Sequence, residues 1–103
     1  MQKKVENFNK NRGSHLKPMP THARLLDIQS ELGELSKEYL KSTKYGTQDF
    51  NLTASFELEF GDVLYSLLSL ATELNIDSEK CLDFVIKKYQ DRLNTKKDMG
   101  SSN

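Results

Sequence analysis

Tryptophan is absent from this 103-residue chain, cysteine occurs once and proline twice, and the basic and acidic side chains, 15 of each, cancel. Each shortage removes a class of protein. The lone Cys81 rules out an intramolecular disulfide, and its place ahead of an apolar helical run reads as that of a small, half-buried hydrophobe in a reducing compartment. Zero net charge gives no global pull toward nucleic acid or an anionic membrane, so neither is an expected partner. No apolar run approaches the roughly 20 residues of a membrane span. The opening "MQKKVENFNKNRG" lacks the hydrophobic centre of a secretory leader, and a cytoplasmic location is expected. No strand-period alternation is long enough to argue for a sheet.

What remains is helical. Residues 1–20 form a polar arm with room for a short helix around Val5 and Phe8, closed by the two prolines of "KPMPT". From Thr21, a plausible N-cap, the spacing predicts a helix to about residue 44, with Leu25, Ile28, Leu32, Leu35 and Tyr39 on one stripe. Asp27, Glu31, Glu34 and Glu38 make an acidic stripe beside it. "KYGTQDFNLT" interrupts, with Gly46 as the expected stop. A second helix spans about Ala54 to Leu74. It is apolar over most of its circumference, apart from a polar seam of Glu59, Asp62, Ser66, Ser69 and Glu73. Asp77 can cap a third helix whose apolar face is Leu82, Val85, Ile86, Tyr89 and Leu93, and residues 95–103 read as a mobile tail. The helical domain is thus 21–94. Three helices, one apolar nearly all round, do not easily close their own core, so an antiparallel bundle completed by a second copy of the chain is expected.

The acids carry the chemistry. Glu31 and Glu34 in "ELGEL" lie one turn apart on one helix, and Glu59 with Asp62 in "EFGD" repeat the spacing on the next. A loop of about ten residues lets the two helices pack antiparallel, bringing the pairs face to face. Four converging carboxylates repel one another and lose hydration, and a hard divalent cation such as Mg2+ or Mn2+ resolves the conflict with oxygen ligands. The plainer alternative is a solvated face, in which Glu34 pairs with Lys37 and Glu38 with Lys41. That alternative explains the second helix poorly, because residues 56–76 contain no Lys or Arg. Tyr65 and Phe60 could stack on a base, although aromatics at helical spacing are more often core. His15 and His22 lack the spacing of zinc ligands.

Taken together, "LLDIQSELGELSKEYLKSTKYG", "ELEFGDVLYSLLSLATELNID" and "KKYQDRL" resemble the MazG-like all-α nucleoside triphosphate pyrophosphohydrolases over residues 22–93. The matching pattern is E-x-x-E, then E-x-x-D, then K-x-x-x-R. The resemblance implies Mg2+-dependent cleavage of a nucleoside triphosphate to monophosphate and pyrophosphate, a nucleotide-pool house-cleaning role, and assembly as a homodimer or a dimer of dimers. It implies Glu31, Glu34, Glu59 and Asp62 as metal ligands; a carboxylate not fully engaged by the metal could take a proton from water, and Glu34 and Glu38 are the candidates for that role. Lys88 and Arg92 would clamp phosphate, with Lys96 and Lys97 available to fold over it. Arg24 could reach phosphate or simply pair with Asp27. Phosphoribosyl-ATP pyrophosphohydrolase and a non-catalytic, partner- or nucleotide-binding bundle share the same pattern.

Overall fold

In the computed structural model, which describes residues 1–12 and 19–101, the helical periodicities become four helices. These are α1 (Gln2–Asn11), α2 (Thr21–Ser42), α3 (Ala54–Glu73) and α4 (Ser78–Ser101), and no strand occurs among the described residues. His15 lies outside the described residues, as does the side chain of Lys97.

The long helices stop where local chemistry stops them. At the end of α2 the Tyr45 amide donates to the Leu40 carbonyl (2.7 Å) and the Lys44 amide to that of Lys41 (3.1 Å). The end of α3 repeats the pattern, Ile76 to Ala71 (2.8 Å) and Asn75 to Thr72 (3.2 Å). Both ends turn through a left-handed residue, Lys44 (φ 46°) and Asn75 (φ 56°), as this type of cap requires. The stop expected at Gly46 is therefore made earlier, by Lys44. Gly46 (φ 86°) follows in the turn, its amide donating to the hydroxyl of buried Thr43 (3.0 Å). Thr21 is the first helical residue rather than the N-cap; that place belongs to Pro20, whose carbonyl accepts from the Arg24 amide. Thr53 caps α3 by accepting from the Phe56 amide (3.1 Å). Asp77 caps α4 as its sequence position suggests, its Oδ1 accepting from the Lys80 amide (3.1 Å).

α3 is the centre, with α2 and α1 both packed along it. Its buried residues are Ser66, Leu68, Ser69 and Ala71, and the three small ones permit close approach of neighbouring helices. α1 runs antiparallel to α3 and holds it by more than its one buried apolar side chain, Val5. Tyr65 donates to Asn9 Oδ1 (2.5 Å), Asn9 Nδ2 donates to Ser69 Oγ (3.2 Å), and Arg12 donates to the Tyr65 hydroxyl (2.7 Å). At the other end Gln2 donates to the Ile76 carbonyl (2.6 Å) and accepts from the Ser78 amide (2.9 Å), tying α1 to the first turn of α4.

α4 behaves differently. Beyond its start it packs extensively on none of the other helices, and the molecule measures 63 × 41 × 23 Å. Leu82, Phe84, Ile86, Tyr89 and Leu93 are all exposed, and so is Cys81, which reads as half-buried only if α4 is covered. Phe60 is exposed as well, whereas Tyr65 is half-buried against α1. Residues set apart as a tail from 95 onward continue α4 to Ser101, since nothing in "NTKKDM" breaks a helix. No helix among the described residues is long and apolar enough to cross a membrane.

Candidate metal centre

The polar seam of α3 faces the acidic stripe of α2, and the antiparallel register sorts the charges into rungs. At the first rung Glu31 meets Glu59 and Asp62. One carboxylate oxygen from each lies within 4.8 Å of the other two. Glu31 and Glu59 are half-buried and Asp62 is exposed, so the cluster opens to solvent on one side. None of the ion pairs among the described residues involves these three acids. Loss of hydration, then the charges of Asp62, Asp27, Glu59 and Glu34, push the Glu31 carboxyl above its ordinary range.

One turn along, Asp27 meets Ser66, whose hydroxyl donates to Asp27 Oδ2 (2.9 Å). At the far rung Arg24 meets Glu73. The guanidinium uses Nε (3.1 Å) and Nη2 (2.8 Å) on Glu73 Oε1, while Nη1 reaches back to Asp27 Oδ2 (3.3 Å). Arg24 is buried by this grip, its side chain only 10% exposed. Its guanidinium loses hydration, but the hydrogen bond and charge of Glu73, with Asp27 and Tyr65 adding theirs, outweigh that loss and hold it above its ordinary range. Of the two uses open to Arg24, the structure shows the pairing with Asp27 and adds Glu73.

Of the expected metal ligands, then, the fold brings together Glu31, Glu59 and Asp62. Glu34 stays exposed outside the group, near enough to act on Glu31 by charge. Glu38 is engaged by Lys41 at 3.7 Å, the surface pair that the i, i+3 spacing suggests. Lys88 and Arg92 ride on α4, which the chain does not pack against the acids; Lys88 lies over its neighbour Tyr89 (5.9 Å) and Arg92 lines an apolar groove with Tyr89 and Leu93. His22 is exposed and belongs to no ligand cluster among the described residues. The parts that sequence reasoning missed are the Arg24–Glu73 grip and the Ser66–Asp27 bond. Their signal was present: Arg24 is the only cation on α2 ahead of the acidic stripe, and Ser66 and Glu73 both lie in the seam.

Three carboxylate oxygens at these separations suit one small hard cation. Ligands held about 2.1 Å from an octahedral Mg2+ lie about 3 to 4 Å apart, so minor side-chain rotation closes the set. The half-open side leaves room for water and an anionic group.

No family model matches the chain. A Bacillus subtilis protein named YpjD, itself uncharacterized, is 38% identical over 82 residues, which cover 76% of this chain and 68% of the relative. A crystal structure of YpjD from Bacillus subtilis, described there as a proposed pyrophosphatase, superposes with a TM-score of 0.62 at 31% identity. That match covers 85% of this chain and 86% of the other.

Proposed function

From the premise that this chain belongs to the YpjD family, we propose that it is a divalent-metal-dependent pyrophosphohydrolase of the MazG-like kind. Its substrate would be a nucleoside or deoxynucleoside triphosphate, cleaved to monophosphate and pyrophosphate. The observation that carries the reading is the uncompensated cluster of Glu31, Glu59 and Asp62, with ligand oxygens within 4.8 Å of one another. Acids brought together at a helix interface with no ion pair repel one another, and a divalent cation would relieve that repulsion. The Bacillus subtilis structure is described as that of a proposed pyrophosphatase, which supports cleavage of a phosphoanhydride bond.

In this reading Glu31, Glu59 and Asp62 hold Mg2+, or Mn2+ in its place, with Glu34 able to join from one turn away. The bound ion supplies charge neutralisation at the phosphates and a more acidic water. The residues of the chain do the rest. Glu34, exposed and free of the Lys41 contact that engages Glu38, is the better placed of the two to take a proton from an attacking water. α2 and α3 fix the three acids on regular helices, which orient them better than loops would.

Phosphate also needs cations, and the chain carries Lys88 and Arg92 on α4, which does not pack extensively against the helices that bear the acids. A second copy supplies the complement, with α4 of one protomer covering apolar surface of the other. This homodimer, or a dimer of dimers, would bury Leu82, Ile86 and Leu93, which are exposed in the single chain, and would complete the bundle.

Incubating the purified protein with Mg2+ and a panel of ribo- and deoxynucleoside triphosphates, plus phosphoribosyl-ATP, tests the proposal. Release of monophosphate and pyrophosphate is expected, and Glu59→Gln abolishes it. Absence of turnover across the panel contradicts an enzymatic role. Release of orthophosphate and diphosphate contradicts the proposed bond.

A further inference from the structure

The open side of the acidic cluster has a neighbour that the α2–α3 interface does not supply. Asp62 is the exposed member of the cluster, and on a wheel of 3.6 residues per turn Ser66 lies about 40° to one side of it and Tyr65 about 60° to the other. Ser66 faces α2, where it meets Asp27, and Glu59 falls on that same flank. Tyr65 faces α1, where its hydroxyl accepts from Arg12 Nη1 (2.7 Å). Helix α2 thus covers one flank of Asp62, and the C-terminal end of α1 brings a guanidinium toward the other. We propose that Arg12 is a substrate-binding residue that contacts the phosphate chain of a nucleotide held at the metal centre. The inference rests on the pyrophosphohydrolase reading above and adds to it a cation from the same chain that carries the acids.

Reach follows from side-chain direction. Tyr65 lies three residues after Asp62, about 4.5 Å along the axis. Long side chains on a helix lean back toward its N-terminus, which carries the phenol over the Asp62 turn. A triphosphate chain is longer than that step, so a nucleotide anchored through metal at Asp62 can meet Arg12. The guanidinium is also aimed. Tyr65 gives its own proton to Asn9 Oδ1, and Asn9 Nδ2 donates onward to Ser69 Oγ, so the phenol oxygen offers Arg12 only lone pairs. The Phe8 ring lies 5.9 Å from Arg12 Cζ and meets Tyr65 edge-on, 6.0 Å between centroids. Among the described residues no carboxylate pairs with Arg12 and only its Nη1 is engaged, which leaves Nε and Nη2 for an incoming anion. Arg24 is the opposite case, with all three nitrogens spent on Glu73 and Asp27. Docking of α1 does not call for the charge, because Val5, Gln2 and Asn9 already make that contact.

Calorimetry of the full chain separates substrate contact from support of the fold. Mg2+ is titrated first, and inorganic pyrophosphate is then titrated at saturating Mg2+. Arg12→Met should bind Mg2+ within about twofold of the parent and weaken pyrophosphate binding about tenfold, the usual weight of an arginine–phosphate contact open to solvent. Arg12→Lys should fall between, since it keeps the charge and loses the fork. Tyr65→Phe removes the anchor and leaves the charge, and should cost about threefold or less. Pyrophosphate binding within about twofold of the parent in Arg12→Met overturns the role. An equal loss in Tyr65→Phe also overturns it, as does a loss of Mg2+ affinity that matches the loss of pyrophosphate, because a merely structural residue gives both. If circular dichroism shows Arg12→Met unfolded, Arg12→Gln decides, since it keeps an N–H donor for Tyr65. A pyrophosphate loss of about tenfold with Mg2+ binding intact then supports the role, and unchanged binding overturns it. A parent protein that binds neither Mg2+ nor pyrophosphate, or Mg2+ alone, overturns the functional reading and this inference with it. Binding of both that ignores Arg12 overturns the substrate contact alone.

Discussion

Two ends of one helix interface hold the same kind of side chain in opposite circumstances. Where Arg24 enters, Asp27 and Glu73 close on a buried guanidinium at 3.3 and 2.8 Å. About 10 Å along the same pair of helices, Glu31, Glu59 and Asp62 approach one another with no ion pair among the described residues. The first end is complete as folded, and the second is electrostatically incomplete. The lesson is that acid content alone says little about function. What separates a structural ion pair from a candidate metal cluster is whether the fold provides the cation, and among the described residues it does so at one end only.

The comparison can be broken at its open end first. Asp62→Asn or Glu59→Gln should lower nucleoside triphosphate turnover by about a hundredfold or more, because either leaves two carboxylates for a divalent ion. Steady-state release of pyrophosphate at saturating Mg2+ measures this. The same changes should leave urea unfolding of the metal-free protein no less stable, since they remove repulsion.

Breaking the closed end should do the reverse. Arg24→Met strands Asp27 and Glu73 in a partly buried interface and should cost about 2 to 3 kcal/mol of folding stability by denaturant unfolding. Arg24→Met/Glu73→Gln should recover much of that loss, because most of the cost is the stranded charge rather than the missing bond.

A subtler contrast lies in pH. A carboxyl raised above its unfolded value binds more protons in the folded state, so its contribution to stability falls as pH rises between the unfolded and folded values. Glu31 should therefore weaken the metal-free protein at neutral pH, opposite in sign to the usual paired acid. Glu31→Gln should raise Tm at neutral pH, and the gain should shrink as pH falls through the carboxylate range. Saturating Mg2+ should abolish the gain in the parent's favour. The smallest effect is expected at the surface pair: Glu38→Gln should change stability by about 0.5 kcal/mol or less and turnover less than Glu34→Gln does.

Much of this contrast was legible in the residues. The stripe and the seam gave α2 and α3 to within two residues, and the missing counter-charge of residues 56–76 pointed at the acidic cluster. Periodicity identifies which face of a helix is buried but not what covers it. Hence α4's apolar face was readable, while its departure from the bundle depended on the left-handed Asn75 and on Gln2 at the first turn of α4. α1 forms where a short helix around Val5 and Phe8 was expected, but its docking on α3 was not legible, because the contact runs largely through the polar Asn9, Arg12 and Tyr65, with Val5 its one buried side chain. Arg24 was ambiguous for a similar reason. A cation beside an acidic stripe can serve substrate or fold, and only the partner from α3, 49 positions away in the chain, distinguishes the two.

The open end of the seam is best tested by seeing what fills it. Crystals grown with Mn2+ and measured near the manganese absorption edge should show an anomalous peak bounded by carboxylate oxygens of Glu31, Glu59 and Asp62, with Arg24 still gripping Glu73 and Asp27. A peak elsewhere, or none at millimolar Mn2+, would contradict the claim that these three acids are a metal centre.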